Sequence, residues 1–213
     1  MITVWGRRNS INVQKVMWAI GEIGLAYEQI DAGDKFGGLD TPEFAAKNPN
    51  RRIPTIEDEG LFVWESNAIV RYLATRYGGD RWWHADPRRR APVDSWMDWM
   101  QTTPYPHLTV VFWGLVRTPP SRRNRAAIDH ALEQLGSTLQ VLDRQLANHD
   151  YVLGDRLTLA DIPVGTMFYR YYDLDIPRPK LPNIERWYQT LTDRPAYREH
   201  VMMSYEDLWV REG

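Results

Sequence analysis

The sequence contains no cysteine. That excludes a disulfide framework, a thiolate metal site and any dithiol exchange run on the protein's own sulfur, and it suits a reducing cytoplasm. No apolar run approaches the roughly 18 residues that a membrane-spanning helix needs. The five histidines (84, 107, 130, 149 and 200) never fall at metal-ligand spacing, so no metal is expected. A Walker loop and a G-x-G-x-x-G turn are both missing. Neither sign of charge prevails: the formal net charge is −2, which gives no electrostatic footprint for nucleic acid or an acidic membrane surface. The opening Met1-Ile2-Thr3-Val4-Trp5 lacks the charged and apolar regions of a signal peptide, and a cytoplasmic protein is expected.

What is present describes an ordinary globular chain. Hydrophobic residues make up 43% and charged residues 25% of 213, enough for one large domain or two small ones. The clusters Arg88-Arg89-Arg90 and Arg122-Arg123 stand near helix starts and read as solvated surface.

The order of elements is more informative. Ile2 to Trp5 reads as a strand. Asn12 to about Ile23 carries Val13, Val16, Met17, Ala19 and Ile20 at helical spacing, and Gly24 stops it. Tyr27 to Asp31 alternates as a second strand. The Gly-rich stretch that follows holds one helical turn after Thr41-Pro42. Thr55-Ile56 and Leu61 to Trp64 form a hairpin about the Asp58-Glu59-Gly60 turn, with Pro54 at its entrance. Proline has no N–H to give a ladder, so Pro54 is expected only at a strand entrance or on a sheet edge. A helix from Ser66 to about Tyr77 buries Ile69, Val70, Leu73 and Ala74.

After Gly78-Gly79 the reading turns helical. Asp86-Pro87 is an acidic cap with proline in the first turn, opening a helix that holds Trp96, Met97, Trp99 and Met100. Ser121 is expected to start a long helix with Ile128, Leu132, Leu135, Leu139, Leu142 and Leu146 at three- and four-residue steps. Thr158-Leu159-Ala160-Asp161 has the form of a capping box, and Ile184 to Thr192 makes a further helix.

The first half has the element order of the thioredoxin fold, but Asn9-Ser10-Ile11-Asn12-Val13 stands where redox members carry C-x-x-C. Any thiol must therefore arrive with a substrate. Four segments, GRRNSINVQKV (6–16), NPNRRIPTI (48–56), WESNAIVRYL (64–73) and LTLADI (157–162), make the chain resemble a glutathione S-transferase over nearly its whole length. It is most like the bacterial theta-like and nu-like members. The resemblance implies an α/β thioredoxin-like N-terminal domain (1–79) that binds glutathione, followed by an all-α C-terminal domain (86–213) that forms the electrophile site. It further implies a cytoplasmic homodimer engaged in detoxification, with glutathione as co-substrate, a small electrophile as second substrate, and no metal.

The resemblance also assigns residues. Ile53, before a cis Pro54, would offer its backbone to the cysteinyl part of glutathione as a short β-addition. Ser66, at a helix start, would hold the γ-glutamyl carboxylate, and Glu65 would face the ammonium; serine there also reads simply as a helix cap. Arg52, or else Lys35, would pair with the glycyl carboxylate, although both also read as surface charge, Lys35 above all. Ser10 and Asn12, at the start of the first helix, are the catalytic candidates. No tyrosine precedes residue 27 to take the role it has in commoner classes. A free thiol near pKa 8.5 needs roughly 2.7 kcal/mol to drop about two units, which one or two charge-assisted bonds supply. Tyr105, His107, Phe112 and Trp113 would line the electrophile site, which the resemblance places between the domains. Conjugation of small, possibly halogenated electrophiles is the leading expectation. A glutathione-dependent disulfide or peroxide reductase and a non-catalytic glutathione-binding module are the alternatives.

Overall fold

Buried Ile2 and Val4 alternate with half-exposed Thr3 and Trp5, and this period-two pattern makes Ile2–Trp5 a strand, β1. The computed structural model of the chain describes residues 1–212. Helix α1 (Ile11–Ile23) follows and ends at Gly24, whose φ of 81° closes the last turn through its N–H on the Ile20 carbonyl. Strand β2 (Tyr27–Ile30) then pairs parallel to β1, completing a β-α-β unit. Helix α2 (Pro42–Lys47) is capped by Thr41, whose hydroxyl accepts from the Phe44 N–H.

Strands β3 (Thr55–Asp58) and β4 (Leu61–Trp64) form the hairpin. Its Glu59-Gly60 turn has positive φ at both positions, the twist that suits a two-residue connection. The sheet order is β2-β1-β3-β4, with β3 antiparallel to both neighbours. Of the two places open to Pro54 the entrance is the one found, since β3 is an inner strand and β4 is the edge. Proline is tolerated beside an inner strand because pairing begins only at Thr55, opposite Trp5, one residue past it. The Ile53–Pro54 bond is cis, as the resemblance implied.

Helix α3 (Ser66–Leu73) buries Ile69, Val70 and Leu73 and is shorter than expected. Ala74–Gly78 widens into a π-type turn, and Gly79–Trp82 adds a short helix, α4. Tyr72 and Tyr77 both donate to the Asp58 carboxylate, at 2.7 and 2.6 Å, fastening this segment to the hairpin.

The remaining helices are α5 (Pro87–Thr102), α6 (Pro104–Val116), α7 (Arg125–Gln145), α8 (Asp161–Asp173), α9 (Pro182–Thr192) and α10 (Pro195–His200). Asp86 caps α5 through the Arg88 N–H, as its sequence implies. Ser121 does not open α7; it lies in the short turn Pro120–Arg122, and Asn124 is the cap, accepting from the Ala127 N–H. Along α7, Ile128, Leu135, Leu139 and Leu142 are buried, whereas Leu132 is only half-buried.

The chain divides into two units: Met1–Ala91 with Arg194–Met203, and Pro92–Asp193 with Ser204 onward. Helix α10 thus belongs to the first unit, where it explains why α1 is buried nearly all round. Tyr197 meets Trp18 edge-on at 4.8 Å, and Arg194 makes a bidentate pair with Glu22. Gly21 admits this approach: a Cβ there would stand 3.0 Å from the Ala196 Cβ. Among the described residues no helix is long and apolar enough to cross a membrane.

The second unit is centred on α8. Asp161 is fully buried, and its carboxylate accepts from the Val152 and Thr158 N–H groups, the Thr158 hydroxyl and the Trp187 indole. Burial nevertheless pushes it up to about 6. Asp161→Ala would leave those buried donors unmatched. It is expected to cost about 2–4 kcal/mol, read as a lowered urea midpoint at constant slope. A midpoint within error of wild type would show that α8 does not depend on this carboxylate.

Candidate functional site

The loop between α2 and β3 cannot pair with a strand, so its polar groups need other partners. Asn48 supplies them. Its side chain is buried; Nδ2 donates to the Arg52 carbonyl at 2.8 Å and to Thr55 Oγ1 at 3.0 Å. Its Oδ1 accepts from the Asn50 N–H at 2.9 Å, and Thr55 Oγ1 donates to the same Arg52 carbonyl at 3.1 Å. Asn48 and Thr55 were not singled out from the sequence as site residues. The signal was the KNPN run before IPT, which reads as a plain loop until its side-chain bonds are seen.

This knot leaves Ile53 different from its neighbours. Among the described residues its backbone N–H and C=O make no hydrogen bond. Two glycines let the backbone close around it. A Cβ on Gly6 would stand 2.5 Å from Val13 Cγ2 and 3.2 Å from Ile53 Cβ; one on Gly33 would stand 3.3 Å from Ile53 Cδ1. Arg7 ties the same region together, donating to Asn9 Oδ1 at 2.5 Å and lying 3.6 Å from Asp34.

At the start of α1, Ser10 is the N-cap residue by position, yet its side chain makes no capping bond. The residue is buried, and its backbone carbonyl accepts the first helical bond, from the Gln14 N–H at 2.9 Å. Asn12 lies in the first turn. Ser66 donates to its Oδ1 at 3.4 Å, so the N-termini of α1 and α3 meet here. The cap of α3 is Glu65, not Ser66, and its φ of 69° is unusual for a residue with a side chain. Ser66 is the first helical residue, which frees its hydroxyl from capping and corrects the simpler reading of it.

Asn12 and Ser66 therefore meet, with Ser10 two residues before Asn12 in the chain. Glu65 directly precedes Ser66, while Ile53 lies on the knotted loop close to Gly6 and Gly33. Arg52 is exposed. Lys35 is exposed and sits 5.2 Å from the Phe36 ring centre.

The residues expected to line an electrophile site all lie on α6 but do not share a face. At about 100° per residue, Tyr105 and Trp113 are roughly 80° apart, whereas His107 stands roughly 160° from Tyr105. Trp113 is 56% exposed and carries Arg117 at 5.3 Å. Phe112 is buried under the Arg170 guanidinium, which lies 4.2 Å from its ring centre, so it is core.

Known proteins resemble this chain over most of its length. The family model for the glutathione S-transferase N-terminal domain matches residues 1–75, and that for the C-terminal domain matches residues 105–195. Glutathione S-transferase GstB of Escherichia coli K12 is 43% identical over 205 residues, spanning 95% of this chain and 99% of its own. The theta class glutathione S-transferase of the citrus canker pathogen Xanthomonas axonopodis pv. citri, solved with glutathione bound, is 46% identical. It superposes with a TM-score of 0.90 over 95% of this chain and 98% of that one. The Bombyx mori transferase BmGSTD1, at 24% identity and a TM-score of 0.86 over 97% and 95% of the two chains, shares the fold.

Asn48→Ala removes three hydrogen bonds of the loop at once. Stability is expected to fall by about 2–3 kcal/mol, and amide exchange over residues 50–55 to speed up more than in α1. Exchange in that loop unchanged from wild type would show that something other than Asn48 holds it.

Proposed function

Because the chain belongs to the glutathione S-transferase family, we propose that it activates the glutathione thiol at the N-terminus of α1 and transfers the tripeptide to small electrophiles, halogen-bearing ones among them. The chain is an enzyme, a glutathione transferase; the residue roles and the electrophile class are the proposal. One observation carries it: Ser10 occupies a helix-cap position, and its hydroxyl does not cap. A hydroxyl left free there, beside first-turn N–H groups that lack intrahelical partners, is a donor set aimed at an anion. Asn12 adds its side-chain amide.

The anchors follow from the same geometry. The free backbone N–H and C=O of Ile53 suit a short antiparallel addition by the cysteinyl unit, with Pro54 turning the chain out of the sheet. Ser66 and the α3 N-terminus suit the γ-glutamyl carboxylate, and Glu65 the ammonium. Arg52 supplies a cation for the glycyl carboxylate. Residues 1–79 then hold glutathione, and the helical part from residue 86 receives the electrophile. Tyr105, His107 and Trp113 of α6 are the proposed contacts.

The thiol loses its proton to solvent, and the sulfur attacks the electrophilic carbon. A carbon–sulfur bond forms as the leaving group departs with its electron pair. The protein contributes orientation and a stabilised nucleophile. Support for glutathione as the thiol comes from the Xanthomonas relative, which was solved with it bound. A homodimer in the cytoplasm and a role in detoxification complete the proposal.

Ser10→Ala and Asn12→Ala should each raise the pKa of bound glutathione by roughly one to two units, the worth of one charge-assisted bond. Affinity should change little, since the anchors lie elsewhere and hold thiol and thiolate alike. Because the raised pKa leaves less thiolate at pH 7, turnover should fall about tenfold or more and partly recover at higher pH. Thiolate absorbance titrated against pH measures this. If neither variant shifts the titration, these residues do not activate sulfur. Activity with a halide substrate, set beside a disulfide and a peroxide, separates conjugation from reduction; reduction without conjugation would overturn the proposed reaction.

Sedimentation at micromolar concentration should show twice the 25.0 kDa chain mass. A monomer there would remove the homodimer.

A further inference from the structure

Lys15 lies on α1 with none of its surface exposed. Lysine is almost never fully buried unless a charge pairs with it. Burial brings its ammonium down to about 7, and the Glu65 carboxylate opposes that drop. A folded value below the ordinary 10.5 means that the buried charge costs stability. The cost is full below pH 7 and fades as pH rises from about 7 to about 10.5. An apolar side chain of similar length would fill this space at no such cost.

The position of Lys15 accounts for it. Asn12 and Lys15 are three residues apart, so they lie on one side of α1, a turn from each other. Asn12 meets Ser66. Glu65 directly precedes Ser66, caps α3 and is held at a φ of 69°, a conformation that residues with side chains adopt when their surroundings fix it. The Asn12–Ser66 contact and the Lys15–Glu65 attraction thus form two successive links between α1 and the start of α3.

We infer that Lys15 is a positioning residue for glutathione: from inside the α1–α3 packing, its ammonium holds the Glu65 carboxylate toward the γ-glutamyl ammonium. A carboxylate has two oxygens, so one can face Lys15 while the other accepts from the substrate. This assignment rests on the reading of Glu65 given under the proposed function. It explains why an exposed glutamate on a left-handed backbone would keep one orientation, and why a destabilising lysine stands beneath it.

The test compares glutathione with the same tripeptide lacking the γ-glutamyl amino group, both measured by calorimetry. Wild type is expected to prefer glutathione about tenfold, and Glu65→Gln to show almost no preference. Lys15→Met keeps the length and removes the charge. It should fold, because it removes a group that costs stability; Lys15→Gln repeats the measurement if it does not. The preference should drop to that of Glu65→Gln, and KM for glutathione should rise about tenfold while kcat moves far less. A Lys15 variant that keeps the wild-type preference, when Glu65→Gln has lost it, overturns the role of Lys15 alone. A wild type that binds both tripeptides equally overturns the reading of Glu65, and the role of Lys15 falls with it.

Discussion

The backbone between Asn48 and Thr55 has no strand to pair with, and the site depends on how that shortage of partners is met. A buried carbonyl or N–H without a partner costs free energy comparable to a lost hydrogen bond. One buried side chain, Asn48, meets two of those needs by bonding the Arg52 carbonyl and the Asn50 N–H. The bonds stop short of Ile53, whose backbone groups stay available, and pairing resumes at Thr55 in register with Trp5. The gap between the knot and the ladder is where a second extended chain can add. Gly6 and Gly33 keep that gap narrow, since a methyl group on either would strike or crowd Ile53.

The fold was legible because its signals are local. Apolar spacing at Val13, Val16, Met17 and Ile20, a glycine stop at Gly24 and acid-proline at Asp86-Pro87 each determine an element from its own residues. The gaps and errors arose where distant residues decide. Nothing inside Thr55-Ile56-Glu57-Asp58 says that β1 lies on its other side, so the residues alone could not decide between an edge strand and a proline at the entrance of an inner one. Ser121 looked like a cap, but Asn124 is better placed and took the role, leaving Ser121 bonded to Glu212. The site was legible in part for the same reason. Ser10 and Ser66 stand at helix starts, which sequence marks well. Asn48 acts through partners at Arg52 and Thr55, which spacing alone does not reveal.

Two fully buried ionisable groups show how differently the chain treats charge. Asp161 is surrounded by donors: two backbone N–H groups, a hydroxyl and an indole. It joins the start of α8 to α9 and to the turn at Val152, and its job ends with the fold. Lys15 lies fully buried on α1, where burial disfavours its charge and the Glu65 carboxylate at the start of α3 favours it. Structural polar groups tend to be satisfied inside the protein, whereas groups kept for a ligand are satisfied by it.

That distinction extends along the chain. Ser10 is a cap that does not cap, Ile53 is strand-like backbone that does not pair, and Glu65 keeps its carboxylate exposed on a left-handed backbone. Each is a departure from what local physics would choose, and all three lie in the first unit. The α6 residues show no such pattern. Phe112 is ordinary core, Trp113 is exposed under Arg117, and His107 faces away from Tyr105. A site that must hold one invariant tripeptide gains from rigid, unsatisfied donors fixed in the fold. Side chains whose directions differ, as on α6, mark no single ligand in sequence or in structure.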